Sequence, residues 1–308
     1  MKPTLDGPVV VSPTGENDIV QYVKSFEKDL LEQLHNAGAI LFRGWNIEDP
    51  QIFYNVINAL GDDVLSYNNR TSPRSKIIDK VYTSTDYPSD QEILPHNESS
   101  YAHEWPLMIG FYCDTPPAEG GETPISNNRG IKEKLPAELT EKFQEKGVLY
   151  KRNILDWIGL SWKEVYQTDS TEIFETKLRQ EGISFEWIDE SHLRLSWKRP
   201  ALQKHPVSGD SIWFNHAYFY HKSNQNQDLL DILPEEDLPF CVYYGDGSEI
   251  QDDEIKLLRK AYEESTYSFK WEKGDILLLD NMLWSHARRP YIGDRKILVA
   301  MANPVRSN

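Results

Sequence analysis

The pattern of apolar and polar residues predicts several helices. Between residues 18 and 37, apolar side chains recur at intervals of three and four, and Gly38 follows as a stop. Asp49 and Pro50 are residue types that cap and begin a helix, so they predict a second helix that runs to about Leu60. The same helical spacing predicts three later helices, at residues 135–146, 161–182 and 252–264.

Short apolar or alternating runs, typical of strands, fill much of the remaining chain. They lie at residues 39–44, 106–113, 185–188, 193–197, 211–215, 267–271, 276–279 and 296–301. Residues 63–106 follow neither period and are predicted to be irregular, which is uncommon inside a compact domain and often functional.

This order of elements favours a mainly β fold with flanking helices. Many short strands, with helices gathered at the start and in one insert at about residues 130–182, indicate a double-stranded β-helix, that is, a jelly roll of the cupin type. No linker or repeat interrupts the chain, so residues 1–308 are predicted to form one domain.

Composition and charge narrow the classes of partner. The net charge of −16 argues against a nucleic acid or an anionic membrane, both of which need a basic surface. Two cysteines are too few for a disulfide framework, and no apolar run has the length of a membrane span. The first residues lack the apolar core of a signal peptide, so we expect a cytoplasmic protein.

A candidate metal site begins at His96 and Glu98. In an extended strand, residues two apart face the same way, so an imidazole and a carboxylate share one side. They are two members of the facial triad that holds non-haem Fe(II) and leaves three positions open. The best third ligand is His286, which follows an apolar strand, and Asp280 and Asn281 would form a turn or donate hydrogen bonds near the ligands.

Spacing alone does not establish this site. A His-x-Asp/Glu match is expected by chance in a chain with 8 His and 49 Asp and Glu, so both residues could equally lie on a polar surface strand. A lone His286 could likewise be an ordinary hydrogen-bonded residue.

Four segments in order supply the missing context. Residues 94–98, 120–123, 274–281 with His286, and 295–299 together resemble the taurine-dioxygenase-like (TauD/TfdA) Fe(II)/2-oxoglutarate oxygenases. The likeness extends from about Ala39 to Pro304 and is strongest to the SyrP-like branch, which is associated with nonribosomal peptide assembly. Residues 205–215 also resemble that branch.

The resemblance implies a ligand set and a co-substrate site. Fe(II) would be held by His96, Glu98 and His286, and 2-oxoglutarate would chelate the metal beside O2. An Arg near the last strand would pair with the distal carboxylate of 2-oxoglutarate, helped by the Thr123 hydroxyl, because a planar guanidinium matches a carboxylate. Arg295 fits this position best, and Arg288 is the competitor.

Two positions bear on the reaction and the substrate. Glu98 occupies the site that a halogenase of this kind leaves empty for chloride, so halogenation is excluded. Val299 stands where taurine dioxygenase carries the Arg that grips its sulfonate, which argues against a sulfonate substrate. Residues that would contact the substrate instead are Arg70, Arg74, Ser100, Tyr101, Asn215 and Arg288.

The resemblance therefore implies an Fe(II)/2-oxoglutarate-dependent dioxygenase that hydroxylates an unactivated C–H bond of an amino acid or its derivative in natural product biosynthesis. The small-molecule substrate would be free or tethered to a carrier protein, and the oligomeric state stays open. The alternatives are a desaturase or other oxidative rearrangement, a ligand-binding protein without turnover, and a zinc hydrolase on the same ligands.

Overall fold

The computed structural model describes residues 7–15, 17–65, 75–78, 80–84 and 87–307. Arg70 and Arg74, two of the predicted substrate contacts, lie outside the described residues.

The helices gather before the first long strand, in the middle of the chain and after residue 250. Their bounds are α1 Ile19–Ser25, α2 Glu27–Ala37, α3 Pro50–Leu60, α4 Asn128–Lys134, α5 Ala137–Lys146, α6 Trp162–Tyr166, α7 Thr171–Gln180, α8 Ala217–Tyr220, α9 Gln227–Ile232 and α10 Asp252–Glu263. Two short 3₁₀ turns follow α8 and α9, at Lys222–Asn224 and Glu235–Asp237.

The predicted caps of the first helices are confirmed. The Asp49 side chain accepts from the Gln51 N–H at the start of α3, and Gly38 ends α2 in the left-handed conformation with φ 80°. The helix predicted over residues 18–37 is divided at Phe26 into α1 and α2, because Phe26 leaves helical geometry. The helix predicted over 161–182 is likewise divided, and Ser170 caps its second part.

Most of the described strands are short, and the two longest are β6 with 12 residues and β19 with 11 residues. Their bounds are β1 Val9–Val11, β2 Ala39–Phe42, β3 Lys76–Ile78, β4 Val81–Thr83, β5 Ile93–His96, β6 Glu104–Thr115, β7 Glu119–Gly120, β8 Ile125–Asn127, β9 Val148–Leu155, β10 Ser184–Trp187, β11 His192–Arg199, β12 Leu202–Lys204, β13 Ser211–Trp213, β14 Phe240–Tyr244, β15 Thr266–Tyr267, β16 Ile276–Asp280, β17 Trp284–Arg288, β18 Tyr291–Ile292 and β19 Lys296–Arg306.

Two packed sheets form the centre of the described structure. Seven of the described strands form the major sheet in the order β1-β2-β16-β6-β19-β4-β3, and the minor sheet has the order β15-β8-β17-β5. Apolar residues of both sheets share one core, which includes Phe111, Ile125, Leu277 and Trp284. The predicted β fold with a jelly-roll arrangement is therefore confirmed.

The major sheet is buried on both faces, which explains its continuous apolar strands. In β16, Leu277 and Leu279 face the minor sheet, while Ile276 and Leu278 belong to a second core under α1, α2 and α3. All four side chains are fully buried, and each such burial contributes about 1.5–3 kcal/mol to the free energy of unfolding.

The middle of the chain differs from the helical insert predicted at 130–182. Strand β9 lies inside that range and joins a four-stranded sheet of order β10-β11-β9-β14, so the insert is mixed rather than helical. Its helical parts were visible from spacing, whereas β9 pairs only with partners distant in sequence.

Two other segments also depart from the sequence pattern. Within residues 63–106, which were predicted to be irregular, the chain forms β3, β4 and β5, because these short strands complete sheet edges. Conversely, of the strand predicted at 267–271 only its first residue lies in a strand, since Phe269 and Trp271 turn into the core instead.

A buried carboxylate fixes the turn after β16. The Oδ1 atom of Asp280 accepts from the backbone N–H groups of Met282 and Leu283, and its Oδ2 atom lies 2.9 Å from His205 Nε2 and 3.3 Å from His35 Nδ1. His205 Nδ1 accepts two backbone N–H groups, so its proton is on Nε2 and points at Asp280. A protonated Nε2 cannot bind a metal, so this cluster holds the turn in place.

In the described part of the chain, none of the helices combines the length and the apolar character that a membrane crossing requires.

Replacing Asp280 tests this turn. Burial raises the pKa of Asp280, but the hydrogen bonds from His205 and His35 outweigh burial and hold it below its ordinary value. A lowered folded-state pKa stabilises the protein above the unfolded value of about 3.9, and this contribution is lost as pH falls through the folded pKa. We expect Asp280→Asn to reduce the free energy of unfolding by about 3 kcal/mol at pH 7.

Urea unfolding between pH 3 and pH 8 measures this effect. The gap between wild type and Asp280→Asn should narrow below about pH 4, since the wild type alone loses the carboxylate contribution. A gap that stays constant across that range contradicts the role of the ionised carboxylate.

Candidate metal centre and co-substrate pocket

The minor sheet brings the first and third predicted ligands face to face. Strands β5 and β17 are antiparallel, and His96 pairs directly with His286 in their register. Directly opposite side chains project from the same face of a sheet, and these two imidazole centroids are 4.4 Å apart. Glu98 follows β5, and the ligand atoms of His96, Glu98 and His286 all lie within 4.8 Å of one another.

The hydrogen bonding of His96 suits a metal ligand. Its Nδ1 atom lies 2.8 Å from the Leu94 carbonyl oxygen, which can only accept, so Nδ1 carries the proton. With the proton on Nδ1, Nε2 is the ring atom that can coordinate a metal, and the backbone orients the ring. Two imidazoles and one carboxylate are a donor set that suits Fe(II), and Glu98 and His286 are both more than nine-tenths buried.

Two buried asparagines hold the ligand segments together. The Asn281 side chain accepts from the Glu98 N–H at 2.8 Å and donates to the Glu98 and Pro106 carbonyl oxygens. In return, Asn97 donates to the carbonyl oxygens of Asn281 and Trp284. We call Asn97 and Asn281 the asparagine lock, because each side chain binds the backbone of the other segment.

The lock also holds an unusual backbone. Ser99, directly after Glu98, has φ 58°, which a residue other than glycine adopts at a cost unless its surroundings impose it.

The sequence predicted that Asp280 and Asn281 would form a turn or donate near the ligands, and both roles are observed. Asn97 was missed, because an asparagine between two ligands carries no signal of its own.

A pocket opens beside the imidazoles of His96 and His286. Phe111, Thr123 and Arg295 also line it. Arg295 donates to the Gly121 carbonyl oxygen at 2.9 Å and to the Thr123 hydroxyl at 3.2 Å, which places its guanidinium at the pocket wall. Burial, and secondarily the nearby Arg288, lowers the pKa of Arg295 to about 10, so it remains charged at neutral pH.

The Thr123 hydroxyl is oriented by two donors. Trp271 Nε1 and Arg295 Nη2 both point at its oxygen, at 3.0 and 3.2 Å. With both lone pairs engaged, the hydroxyl hydrogen is available to donate to a third group. Thr123 lines the pocket, so a group bound there could accept this hydrogen.

Arg288 lines the same pocket but is bonded elsewhere. Its guanidinium donates to the carbonyl oxygens of Tyr87, Pro88 and Gln91, and so fixes that segment against the end of β17. Burial lowers the pKa of Arg288. Its roles as alternative partner of 2-oxoglutarate and as substrate contact stay predictions.

The other predicted substrate contacts among the described residues lie around His216. Ser100 Oγ is 2.6 Å from His216 Nδ1, and the Tyr101 ring meets the His216 ring edge-on at 4.9 Å. Both Asn215 side-chain groups bond backbone, donating to Ala201 and accepting from Ala217, so Asn215 supports the start of α8. The substrate roles of Ser100, Tyr101 and Asn215 stay predictions.

Two further aromatic residues cover His96. The Phe219 ring lies 4.9 Å from the His96 ring and the His216 ring lies 5.9 Å from it. Burial, with the neighbouring His96 as a lesser cause, lowers the pKa of His216 well below its ordinary value, so His216 is neutral. Sequence reasoning missed both residues, since nothing in their spacing indicates that α8 packs against β5.

Comparisons with known proteins agree with this geometry. The profile of the taurine catabolism dioxygenase TauD, TfdA family matches residues 13–301. The dapdiamide synthesis protein DdaC of Enterobacter agglomerans is 35% identical over 301 residues, which cover 96% of this chain and 91% of DdaC.

Solved structures resemble this chain in fold. PvcB of Pseudomonas aeruginosa has a TM-score of 0.57 at 13% identity, covering 95% of this chain and 84% of PvcB. A taurine dioxygenase from Burkholderia xenovorans has a TM-score of 0.57 at 15% identity, covering 97% of this chain and 89% of its own.

The family profile spans nearly the whole chain, and the sheet register assembles a donor set of two imidazoles and a carboxylate that suits Fe(II). The chain therefore belongs to the taurine catabolism dioxygenase TauD, TfdA family and is an Fe(II)- and 2-oxoglutarate-dependent oxygenase.

Proposed function

We propose that the enzyme hydroxylates an unactivated C–H bond of an amino acid or amino-acid derivative in a biosynthetic pathway. The observation that carries this proposal is the cluster of His96, Glu98 and His286 beside the Arg295 pocket. Three protein ligands leave three positions open on a six-coordinate metal, which is enough for a chelating keto acid and oxygen.

The three side chains would hold Fe(II). When bound, the metal supplies the redox chemistry by which 2-oxoglutarate and O2 yield succinate, CO2 and an oxidised substrate. The protein contributes the orientation of its ligands: the Leu94 carbonyl sets the His96 tautomer, and the asparagine lock fixes Glu98 against the strand that carries His286.

Arg295 and Thr123 would bind the distal carboxylate of 2-oxoglutarate. Arg295 faces the pocket with a charged guanidinium, and the Thr123 hydroxyl hydrogen is oriented away from its two donors. Arg288 is the weaker candidate, because three of its bonds already go to backbone carbonyl oxygens.

Two observations support a biosynthetic role with a substrate other than taurine. The relative DdaC is a dapdiamide synthesis protein, which supports a biosynthetic role for this chain too. Val299, fully buried in the core, offers no charge to a sulfonate, which supports a substrate other than taurine.

The rings of His216 and Phe219 would shield the reacting C–H from water. Desaturation is the second candidate outcome, and the mass of the product separates it from hydroxylation.

Removing the carboxylate ligand tests the metal assignment. We expect Glu98→Ala to weaken Fe(II) binding by about 100-fold or more, and to abolish 2-oxoglutarate-dependent succinate formation, because a ligand matters more than the groups that orient it. Metal titration and succinate assays measure the two effects.

The exposed Glu92, which pairs with Arg289, provides the matched control, and Glu92→Ala should bind iron as the wild type does. Succinate formation that survives in Glu98→Ala contradicts the ligand set. Full zinc occupancy with oxygen-independent hydrolysis would favour the hydrolase alternative.

The same substitution at Arg295 and at Arg288 tests which of the two side chains binds 2-oxoglutarate. We expect Arg295→Gln to raise the apparent KM for 2-oxoglutarate by about 30-fold or more, which corresponds to the loss of about 2 kcal/mol for a buried charge pair. Arg288→Gln should change this KM much less. If initial-rate assays show the larger rise in KM for Arg288→Gln, Arg288 rather than Arg295 binds the distal carboxylate of 2-oxoglutarate.

An isosteric change tests the asparagine lock. Asn281→Asp keeps the acceptor for the Glu98 N–H but loses the two bonds donated to carbonyl oxygens, so we expect Fe(II) affinity to fall by about 10- to 100-fold in a folded protein. Asn128→Asp is the control, since Asn128 is equally buried and its side chain donates to the Met282 carbonyl oxygen in the same turn rather than to the segment that carries Glu98. Equal metal affinity in both variants would show that Asn281 serves folding alone.

A further inference from the structure

The four-stranded sheet β10-β11-β9-β14 turns one face toward the metal-binding end. On this face, the Tyr150 hydroxyl accepts from the His216 N–H at 2.9 Å, and Trp197 Nε1 donates to the Tyr101 carbonyl oxygen at 2.7 Å. Strand alternation puts Val148, Tyr150, Arg152 and Ile154 of β9 on the same side. Three of these four residues belong to an apolar core, and Arg152 interrupts it.

Arg152 is a buried cation without a counter-ion in the described structure. It is 8% exposed, yet its guanidinium forms no hydrogen bond or ion pair with any described residue. Its cross-strand neighbours Leu195 and Phe240 are apolar, and its guanidinium lies 5.0 Å from the Phe240 ring centroid. Burying a charge in this way is costly unless a partner of opposite charge compensates it.

The guanidinium borders a large cavity. The cavity has a volume of about 880 Å³, and its walls include Tyr101, Arg152, Tyr166 and Trp197. Such a volume is typical of a site for a small molecule. It is separate from the pocket of Arg295, because the two share no lining residue.

Aromatic contacts connect Arg152 to the metal-binding end. Phe240, under the guanidinium, stacks on Tyr220 at 4.2 Å, and Tyr220 lies 4.9 Å from the His216 ring. The His216 ring is in turn 5.9 Å from His96. Tyr101, which lines the cavity, contacts both Tyr220 and His216. These contacts form a continuous wall of rings that runs from the Arg152 guanidinium to His96.

We propose that Arg152 binds a free carboxylate of the substrate, so that an elongated acid lies along this aromatic wall with its reacting C–H at the metal. This inference rests on the proposed function and narrows its substrate class. A carboxylate matches a guanidinium through two parallel hydrogen bonds, which would compensate the buried charge. An amino acid whose only carboxyl group is bound as a carrier-protein thioester cannot make this pair, so the proposed substrate carries a carboxylate that no thioester occupies.

Thermal unfolding tests whether Arg152 is retained for a ligand. Replacing a buried, unpaired charge by an apolar side chain of similar volume is neutral or stabilising. Arg152→Met without ligand should therefore melt at the wild-type temperature or above it. A clearly lower melting temperature would mean that Arg152 supports the fold, which overturns the proposal.

Ligand binding is tested with matched probes on the oxygen-free holoenzyme containing Fe(II) and saturating 2-oxoglutarate, which occupies the Arg295 pocket. The probes are the N-acetyl-L-amino acids, their primary amides and their phosphopantetheine thioesters. Acids should raise the melting temperature and, in air, stimulate succinate formation, whereas amides should not. Arg152→Gln should raise the KM for a stimulating acid at least tenfold.

Lys151→Gln is the control, because Lys151 is the next residue of β9, faces the opposite side and contacts Tyr243. It should respond to the acids as the wild type does. The proposal is overturned if amides act as well as acids, if Arg152→Gln keeps the wild-type KM, if the thioesters alone bind, or if no acid in the panel acts. Succinate formed from 2-oxoglutarate without any probe tests the proposed function separately, so the two failures are distinguishable.

Discussion

The pairing of His286 with His96 across β17 and β5 is the constraint on which the site depends. A slip of one residue in this register would turn one imidazole to the opposite face of the minor sheet and leave no metal site. The register is fixed from both sides, because the same strand β17 pairs with β8, where His286 lies opposite Ile125 in the core between the two sheets. The apolar packing between the two sheets therefore also aligns the two candidate metal ligands.

Buried polar groups fix the orientation of the loop that carries Glu98, which apolar packing alone does not fix. Hydrophobic contacts are not directional, so they fix the sheets but not the orientation of the loop that carries Glu98. Asn97, Asn281 and Asp280 supply that direction, since each bonds specific backbone groups in a region of low dielectric constant. A network of this kind stabilises a single arrangement of the ligands and also places the left-handed Ser99 directly after Glu98.

Charge is distributed to match anionic small molecules within an acidic protein. The chain carries a net charge of −16, yet Arg152 is buried, Arg295 is partly buried, and neither forms an ion pair with a carboxylate among the described residues. In such surroundings a guanidinium attracts an anion more strongly than at an exposed surface, because water screens less of the charge. Arg295 lines the pocket beside the imidazoles of His96 and His286, whereas Arg152 lines the larger cavity. The two guanidinium groups therefore lie in separate places.

The sequence by itself determined the features that depend on neighbours along the chain. The caps at Asp49 and Gly38, the amphipathic helices and the apolar strand β16 all follow from local spacing. Glu98 lies in the turn after β5, so its position beside His96 does not follow from the predicted strand alternation. The sequence also offered His286 as the best third ligand, and resemblance to a family supported that prediction.

Only the tertiary structure decided which distant groups meet. The sequence favoured Arg295 over Arg288 by position alone, and the structure adds that the Arg288 guanidinium donates to three backbone carbonyl oxygens, although both residues line the pocket. Strand β9 and the isolation of Arg152 depend on long-range pairing with β11 and β14, which leaves no local periodicity to read. Cross-strand register is a property of the whole packed sheet, so it exists only once the chain has folded.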